Sequence, residues 1–97
     1  MSLVNEEQST YDRLQVLNLR VPAAKGILET VRLLERGKAR VVIIAQNVDP
    51  PDRLNVVRDL CSLKGVRIVV VPDKERLGRA VGLDVGTSCV ALRADIE

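Results

Sequence analysis

Histidine, phenylalanine and tryptophan are absent from this chain of 97 residues, and Tyr11 is its only aromatic residue. Without histidine, the chain lacks the side chain that most often shuttles protons in enzymes and most often binds metal ions. With a single aromatic ring, it also lacks the stacking platforms on which many proteins bind single-stranded nucleic acids. Serine–histidine hydrolases, histidine-dependent zinc sites and aromatic base-stacking surfaces are therefore excluded.

The two cysteines, Cys61 and Cys89, each lie within an apolar run. Cysteine packs as a small hydrophobic residue, so we expect both to be buried free thiols. No secretory signal is recognisable, and a disulfide requires an oxidising compartment. No run approaches 18 apolar residues, so no membrane-spanning helix is predicted. We expect a cytoplasmic protein without a membrane partner.

The length fits one domain, and 46% of the residues are apolar, which is enough for a packed core. Residues 1–8 are polar and show no periodicity, and we expect them to form a flexible tail. Residues 9–97 are predicted to form a single α/β domain.

Helical periodicity alternates with β-branched runs along the domain, a pattern typical of layered α/β folds. The predicted helices cover Ser9 to the residue before Pro22, Ala23–Arg36, Asp49–Lys64 and Lys74–Val81. The predicted strands cover Arg40–Gln46, Arg67–Val71 and Thr87–Arg93, with a possible short strand near Leu19–Val21. The β-branched runs of the first two strands predict burial on both faces of the sheet.

The second predicted helix has apolar residues at spacings of three and four, namely Ala24, Ile27, Leu28, Val31 and Leu34. This spacing predicts one apolar face and places Leu28 in the core.

Motifs for catalysis are scarce. The chain has no phosphate-binding loop of the G-x-x-x-x-G-K-[ST] type. Gly78 and Gly82 are predicted to serve packing and helix capping, and the loop at Gly86 has no helix behind it. Asp49 follows a buried strand, as a phosphoacceptor or metal ligand would, but the two prolines after it favour a helix N-cap. We therefore predict no catalytic residue, metal, cofactor or small-molecule substrate.

Charge is unevenly distributed. The segment Arg20–Arg40 contains six basic and two acidic residues, a net charge of +4, whereas the rest of the chain sums to −2. A basic helix face is typical of a polyanion-binding surface. The alternative is a solvated helix face on which Glu29 pairs with Lys25 and Arg32.

Three segments together resemble the superfamily of small α-β-α RNA-binding ribosomal proteins over about residues 10–95. They are the segment from Lys25 to Arg32, the segment from Val48 to Pro72 with its Leu60-Cys61 pair, and the segment from Leu77 to Leu83. The resemblance implies a three-layer α-β-α sandwich with a small mixed sheet.

Two branches of this superfamily compete. Kink-turn binders carry G-x-N-E-x-x-K, which Gly26, Glu29 and Arg32 resemble, but Leu28 stands at the asparagine position. The eukaryotic small-subunit ribosomal protein twelve family resembles the chain at Gly26-Ile27-Leu28-Glu29 and at Val85-Gly86-Thr87-Ser88-Cys89-Val90. We favour the second branch, although this chain lacks that family's longer loop before the last strand and its charged C-terminal tail.

The resemblance implies a structural protein of the small ribosomal subunit, near the beak of its head, with ribosomal RNA and neighbouring ribosomal proteins as partners. Phosphates would be neutralised by basic residues of helix two and the following turn, namely Lys25, Arg32, Arg36, Lys38 and Arg40. The remaining RNA-binding residues would be Gly26 and Glu29 at the opening of helix two and Leu83, Val85 and Gly86 in the loop beside it. The other hypotheses are a kink-turn binder of the large subunit or another ribonucleoprotein, a protein-interaction adaptor of the same fold, and an enzyme of receiver or transferase type acting through Asp49.

Overall fold

The structure, a computed structural model, describes residues 6–94. It contains four α-helices, one 3-10 turn and four strands. The helices are α1 Glu6–Arg20, α2 Gly26–Glu35, α3 Asn55–Lys64 and α4 Lys74–Ala80, and the 3-10 turn Pro51–Leu54 precedes α3. The strands are β1 Ala24–Lys25, β2 Ala39–Ala45, β3 Arg67–Val71 and β4 Cys89–Arg93. The predicted α/β class with a small mixed sheet is confirmed.

The sheet has the order β1-β4-β2-β3. Strand β4 is antiparallel to both β1 and β2, whereas β2 and β3 are parallel. Strands β1, β2 and β3 therefore all run in the same direction, and β4 runs against them. Helices α2 and α3 pack against each other, and α1 packs against α4.

The core lies along β2 and β4. Residues Val42–Ala45 of β2 and Cys89–Leu92 of β4 are buried, as the apolar runs predict. Strand β3 differs, because it is an edge strand and Val70 is 49% exposed. The expectation that the strand Arg67–Val71 is buried on both faces is therefore wrong, since periodicity does not show which strand ends the sheet.

The N-terminal elements begin and end at other residues than predicted. Helix α1 begins at Glu6, so residues 6–8 of the expected tail are helical, while residues 1–5 lie outside the described part of the chain. The short strand is not at Leu19–Val21 but at Ala24–Lys25, where it pairs with β4. Helix α2 consequently begins at Gly26, three residues after the predicted start.

Helix α2 buries a different stripe from the predicted one. Its buried residues are Thr30, Leu33 and Leu34, and Ile27 and Val31 pack partly against them. Leu28 is 63% exposed, so its expected place in the core is wrong. An α-helix turns by about 100° per residue, so Leu28 lies nearly opposite the buried residues Thr30, Leu33 and Leu34. In the core, the Thr30 hydroxyl accepts a hydrogen bond from the Cys89 Sγ at 3.7 Å.

Helix ends largely follow the glycine signals. Gly37, Gly65 and Gly82 all have positive φ angles and lie one or two residues after the last residue of a helix. Asp49 does not have its predicted capping role, because Pro50 is the N-cap of the 3-10 turn and no side chain caps it. Within residues 6–94, no helix has the length and apolar character needed to cross a membrane.

Leu34→Ala and Leu28→Ala form a matched pair on α2, because Leu34 is fully buried and Leu28 is mostly exposed. We expect Leu34→Ala to lower the free energy of unfolding by about 2–5 kcal/mol, through lost burial and a residual cavity. Leu28→Ala should change it by no more than about 0.5 kcal/mol. Urea denaturation followed by circular dichroism measures both, and equal losses would contradict the assigned stripe.

Candidate functional site

The sheet topology brings four segments to one edge. Strands β1, β2 and β3 run in the same direction, so the segments that follow them leave at the same edge, and β4 begins there. In open α/β sheets this edge is where ligands bind. A cavity of about 520 Å³ lies at this edge, lined by Gly26, Ile27, Val48, Asp49, Arg53, Lys74, Glu75, Gly86, Thr87 and Ser88.

The start of α2 forms one wall of this cavity. Gly26 has a φ angle of +84°, a conformation that glycine adopts without strain. The N-cap residue Lys25 makes no side-chain capping bond. The Glu29 carboxylate accepts a hydrogen bond from the Lys25 backbone N–H at 3.2 Å, which ties the helix to β1. The N–H groups of the first turn point toward this edge and favour an anion there.

The start of α4 forms the facing wall and is held by a polar network. The Asp73 carboxylate accepts hydrogen bonds from the Glu75 N–H at 3.1 Å and from the Asn47 Nδ2 at 3.3 Å. The bond from the Glu75 N–H is the main reason that the pKa of Asp73 lies below its usual value. The Asn47 Oδ1 accepts from the Lys74 N–H at 2.9 Å, and the Asp73 N–H donates to the Tyr11 hydroxyl at 3.0 Å. The network fixes α4 relative to the loop that follows β2.

The loop Leu83–Ser88 is clamped against α4. Gly78 is buried, and a β-carbon at this position would overlap the carbonyl oxygen of Val85. A β-carbon at Gly86 would come within 3.3 Å of Lys74 and Glu75. The Thr87 N–H donates to the Lys74 carbonyl oxygen at 3.0 Å. The loop is therefore positioned by close contacts that leave no room for a side chain at Gly78 and little room at Gly86.

The cavity lining is electrically balanced, because Arg53 and Lys74 face Asp49 and Glu75. Apolar side chains are exposed on the two elements that flank it. Leu28 lies in the first turn of α2, and Val85, in the clamped loop, is 69% exposed. The edge therefore combines helix N–H groups, charges of both signs and exposed apolar surface, which suits a ligand carrying both anionic and flat apolar groups.

The structure divides the predicted site residues between two ends of α2. Gly26 and Gly86 line the cavity, and Lys25, Glu29, Leu83 and Val85 belong to the elements that form its walls. Arg36 and Lys38 follow the other end of α2, a ten-residue helix that is about 15 Å long. Arg32 lies between these two ends and is exposed.

Arg40, predicted to extend the basic surface of helix two from the turn that follows it, is the second residue of β2. It lines a separate cavity together with Arg13 of α1 and Arg67 of β3. Its role in RNA binding stays a prediction, and the structure places it apart from the cavity at α2.

Residue patterns in the sequence did not identify the rest of the lining. Val48, Arg53, Lys74, Glu75 and Ser88 were not predicted as site residues, and Asp49 was considered only for other roles. The general rule that segments following parallel strands meet at one edge of a sheet could have identified these residues. Applying the rule requires the order of the strands in the sheet, which the sequence pattern does not give.

Both cysteines are buried free thiols, as predicted. Burial raises the pKa of both thiols, so they remain protonated and unreactive at neutral pH. In the described part of the chain, no three cysteine or acidic side chains are grouped so that they could hold a metal ion.

Comparison with known proteins adds two kinds of finding. Residues 8–95 match the model of the Ribosomal protein L7Ae/L30e/S12e/Gadd45 family. A solved structure titled "Giardia lamblia 15.5kD RNA binding protein" is similar, with 27% identity and a TM-score of 0.84, over 94% of this chain and 77% of that chain. A protein of unknown function from Bacillus halodurans shares the fold, with a TM-score of 0.75 at 18% identity, over 86% of this chain and 82% of that one.

Gly78→Ala tests the clamp between α4 and the loop. Helix propensity alone would make this change stabilising by about 1 kcal/mol. We expect destabilisation instead, since overpacking costs about 1–3 kcal/mol and the added methyl group must displace Val85. Amide chemical shifts of Val85–Thr87 should move, and those of β2 should not. The control Arg79→Ala changes an exposed neighbour, and a more stable Gly78→Ala variant with unmoved loop shifts would contradict the clamp.

Proposed function

Because the chain belongs to the Ribosomal protein L7Ae/L30e/S12e/Gadd45 family, we propose that it is an RNA-binding, non-catalytic component of a ribonucleoprotein. The observation that carries the proposal is the edge at which the N-terminus of α2 faces the clamped loop across an open cavity. The similarity to a protein titled as RNA binding supports it.

The recognition chemistry follows from the parts of this edge. The first N–H groups of α2 suit a backbone phosphate, and Lys25 lies directly beside them. The exposed side chains of Leu28 and Val85 offer apolar surface to a base that is not stacked in a helix. An RNA internal loop or bulge presents such unstacked bases, whereas a regular duplex does not.

Basic residues extend this surface along α2. Arg32 is exposed one turn beyond Leu28, and Arg36 and Lys38 are exposed where the helix ends. In this proposal they neutralise phosphates of the RNA that flanks the bound loop. Phosphate contacts position the protein on the RNA without reading its sequence.

Within the family, we place the chain in the small ribosomal subunit, on ribosomal RNA and beside other ribosomal proteins in the cytoplasm. The support is in the sequence: Gly26-Ile27-Leu28-Glu29 and Val85-Gly86-Thr87-Ser88-Cys89-Val90 resemble the eukaryotic protein twelve family. The first of these segments forms the cavity wall at α2, and the second runs from the clamped loop into β4.

A kink-turn RNA is the second candidate ligand, and one observation favours it. The exposure of Leu28 places it on the open surface at the start of α2, where the kink-turn pattern has asparagine. The leucine side chain can neither donate a hydrogen bond to a base edge nor accept one from it. A kink-turn bound here would be recognised by shape and phosphates.

RNA affinity should fall steeply with salt, because phosphate binding releases counterions. The double variant Lys25→Ala, Arg32→Ala should weaken binding and reduce the salt dependence by about one unit of slope per lost phosphate contact. The double variant Arg58→Ala, Arg79→Ala removes the same charge from exposed positions of α3 and α4 and should leave affinity unchanged. Filter binding to a small-subunit ribosomal RNA fragment measures this. Equal losses in the two variants would contradict the assigned surface.

Leu28→Asn separates the two RNA candidates. Because Leu28 is exposed, the variant should fold as stably as the wild type. The small-subunit proposal predicts no gain in affinity for a kink-turn RNA over a matched RNA without the kink-turn. A gain of about tenfold or more, about 1.4 kcal/mol, would favour the kink-turn branch. Co-sedimentation of the tagged wild-type chain with small or large subunits in a sucrose gradient is the direct check, and small subunits are expected.

A further inference from the structure

A second surface lies on the α1 side of the sheet, away from the cavity at α2. It is a groove of about 350 Å³ between α1 and the strands β2 and β3. Three arginines line it, Arg13 from α1, Arg40 from β2 and Arg67 from β3. We call it the arginine groove.

The position of Arg40 in this groove depends on an irregularity in β2. Val41 and Ile43 line the groove as alternate residues of a strand should. Arg40 would point to the opposite face in a regular strand, but the register between β2 and β4 shifts between Ala39 and Val41. Bulges of this kind redirect side chains, and here Arg40 joins Arg67 on one surface.

The groove is strongly cationic and its charges are available. Three arginines and, among the described residues, no acidic residue line it. Arg13, Arg40 and Arg67 are exposed, and within residues 8–94 their guanidinium groups make no ion pair or hydrogen bond. Three basic residues around one groove, without partners in that part of the chain, favour an anionic ligand.

The surface beside these charges is apolar. Leu14, Val41, Ile43, Val69 and Leu92 form part of the groove lining. Leu17 connects the groove to a neighbouring hollow on α1, which is also lined by Asp12, Arg13 and Val16; the Val16 side chain is 56% exposed.

We propose that the arginine groove docks a segment of a partner protein that carries acidic side chains next to aliphatic ones. Carboxylates would pair with the arginines, and bidentate pairing suits the planar guanidinium group. Aliphatic side chains would cover Leu17 and Val69. The groove therefore gives the chain a protein-binding surface separate from its RNA surface.

The apolar lining distinguishes this partner from a second RNA segment. Phosphates would satisfy the arginines, but the phosphates and sugars of a regular duplex have no aliphatic side groups to cover Leu17, Val41 and Val69. An acidic aliphatic peptide satisfies both the charge and the apolar surface.

The test selects ligands without assuming a natural partner. A displayed library of random 12-residue peptides is selected on the full chain and counter-selected on the double variant Arg13→Glu, Arg67→Glu. We expect the surviving peptides to be enriched in Asp and Glu together with Leu, Ile and Val. Their affinity should fall at least tenfold in Arg13→Gln, Arg67→Gln, a variant that keeps side-chain bulk. The matched control Arg58→Gln, Lys64→Gln should bind them as the wild type does.

Two results would overturn the proposal. One is a selection that yields no arginine-dependent peptides, or only peptides without acidic residues. The other is a loss of RNA affinity in Arg13→Gln, Arg67→Gln as large as that in Lys25→Ala, Arg32→Ala, because the groove would then be an RNA surface. Failure of RNA binding in the wild type, with peptide binding intact, would contradict the proposed function alone. Melting curves establish that each variant is folded.

Discussion

The insertion of β4 between β1 and β2 is the constraint on which the rest of the structure depends. The buried segment Cys89–Leu92 pairs antiparallel with strands on both sides. This pairing makes β1, β2 and β3 point the same way, so their carboxyl ends and the start of β4 share one edge. The short strand Ala24–Lys25 thereby delivers the N-terminus of α2 to the loop that precedes β4. A β1 strand paired elsewhere would separate the two walls of the cavity.

Backbone contacts, rather than long side chains, hold that edge in shape. Gly78 and Gly86 allow the loop to touch α4, and the Asp73–Asn47 network holds the start of α4. Neutral and charge-assisted hydrogen bonds of this kind fix position with little side-chain entropy to lose. A surface held in this way is pre-organised, which reduces the cost of ordering when an RNA binds.

The two candidate surfaces divide the charged residues between them. The edge at α2 offers Lys25 and helix N–H groups, whereas the arginine groove collects Arg13, Arg40 and Arg67 beneath α1. Because the two proposed surfaces lie at different places on one small sheet, RNA and a partner protein could be bound at once. The net charge of the whole chain, +2, does not show this division, because a summed charge gives no information about where the charged residues lie in the fold.

The sequence by itself determined the alternation of helices and strands, the buried thiols and the glycines that end helices, since propensity and periodicity are local properties. Through a resemblance to a known family, it also indicated that the start of α2 and the loop at Val85 are candidate RNA-binding segments. Tertiary structure alone decided the rest. Leu28 faces outward because α2 buries the opposite stripe, in which the Thr30 hydroxyl meets the thiol of Cys89, 59 residues away along the chain. Arg40 lies on the α1 side of the sheet because a register shift between β2 and β4 redirects it, and strand pairing is a long-range contact that no local pattern encodes.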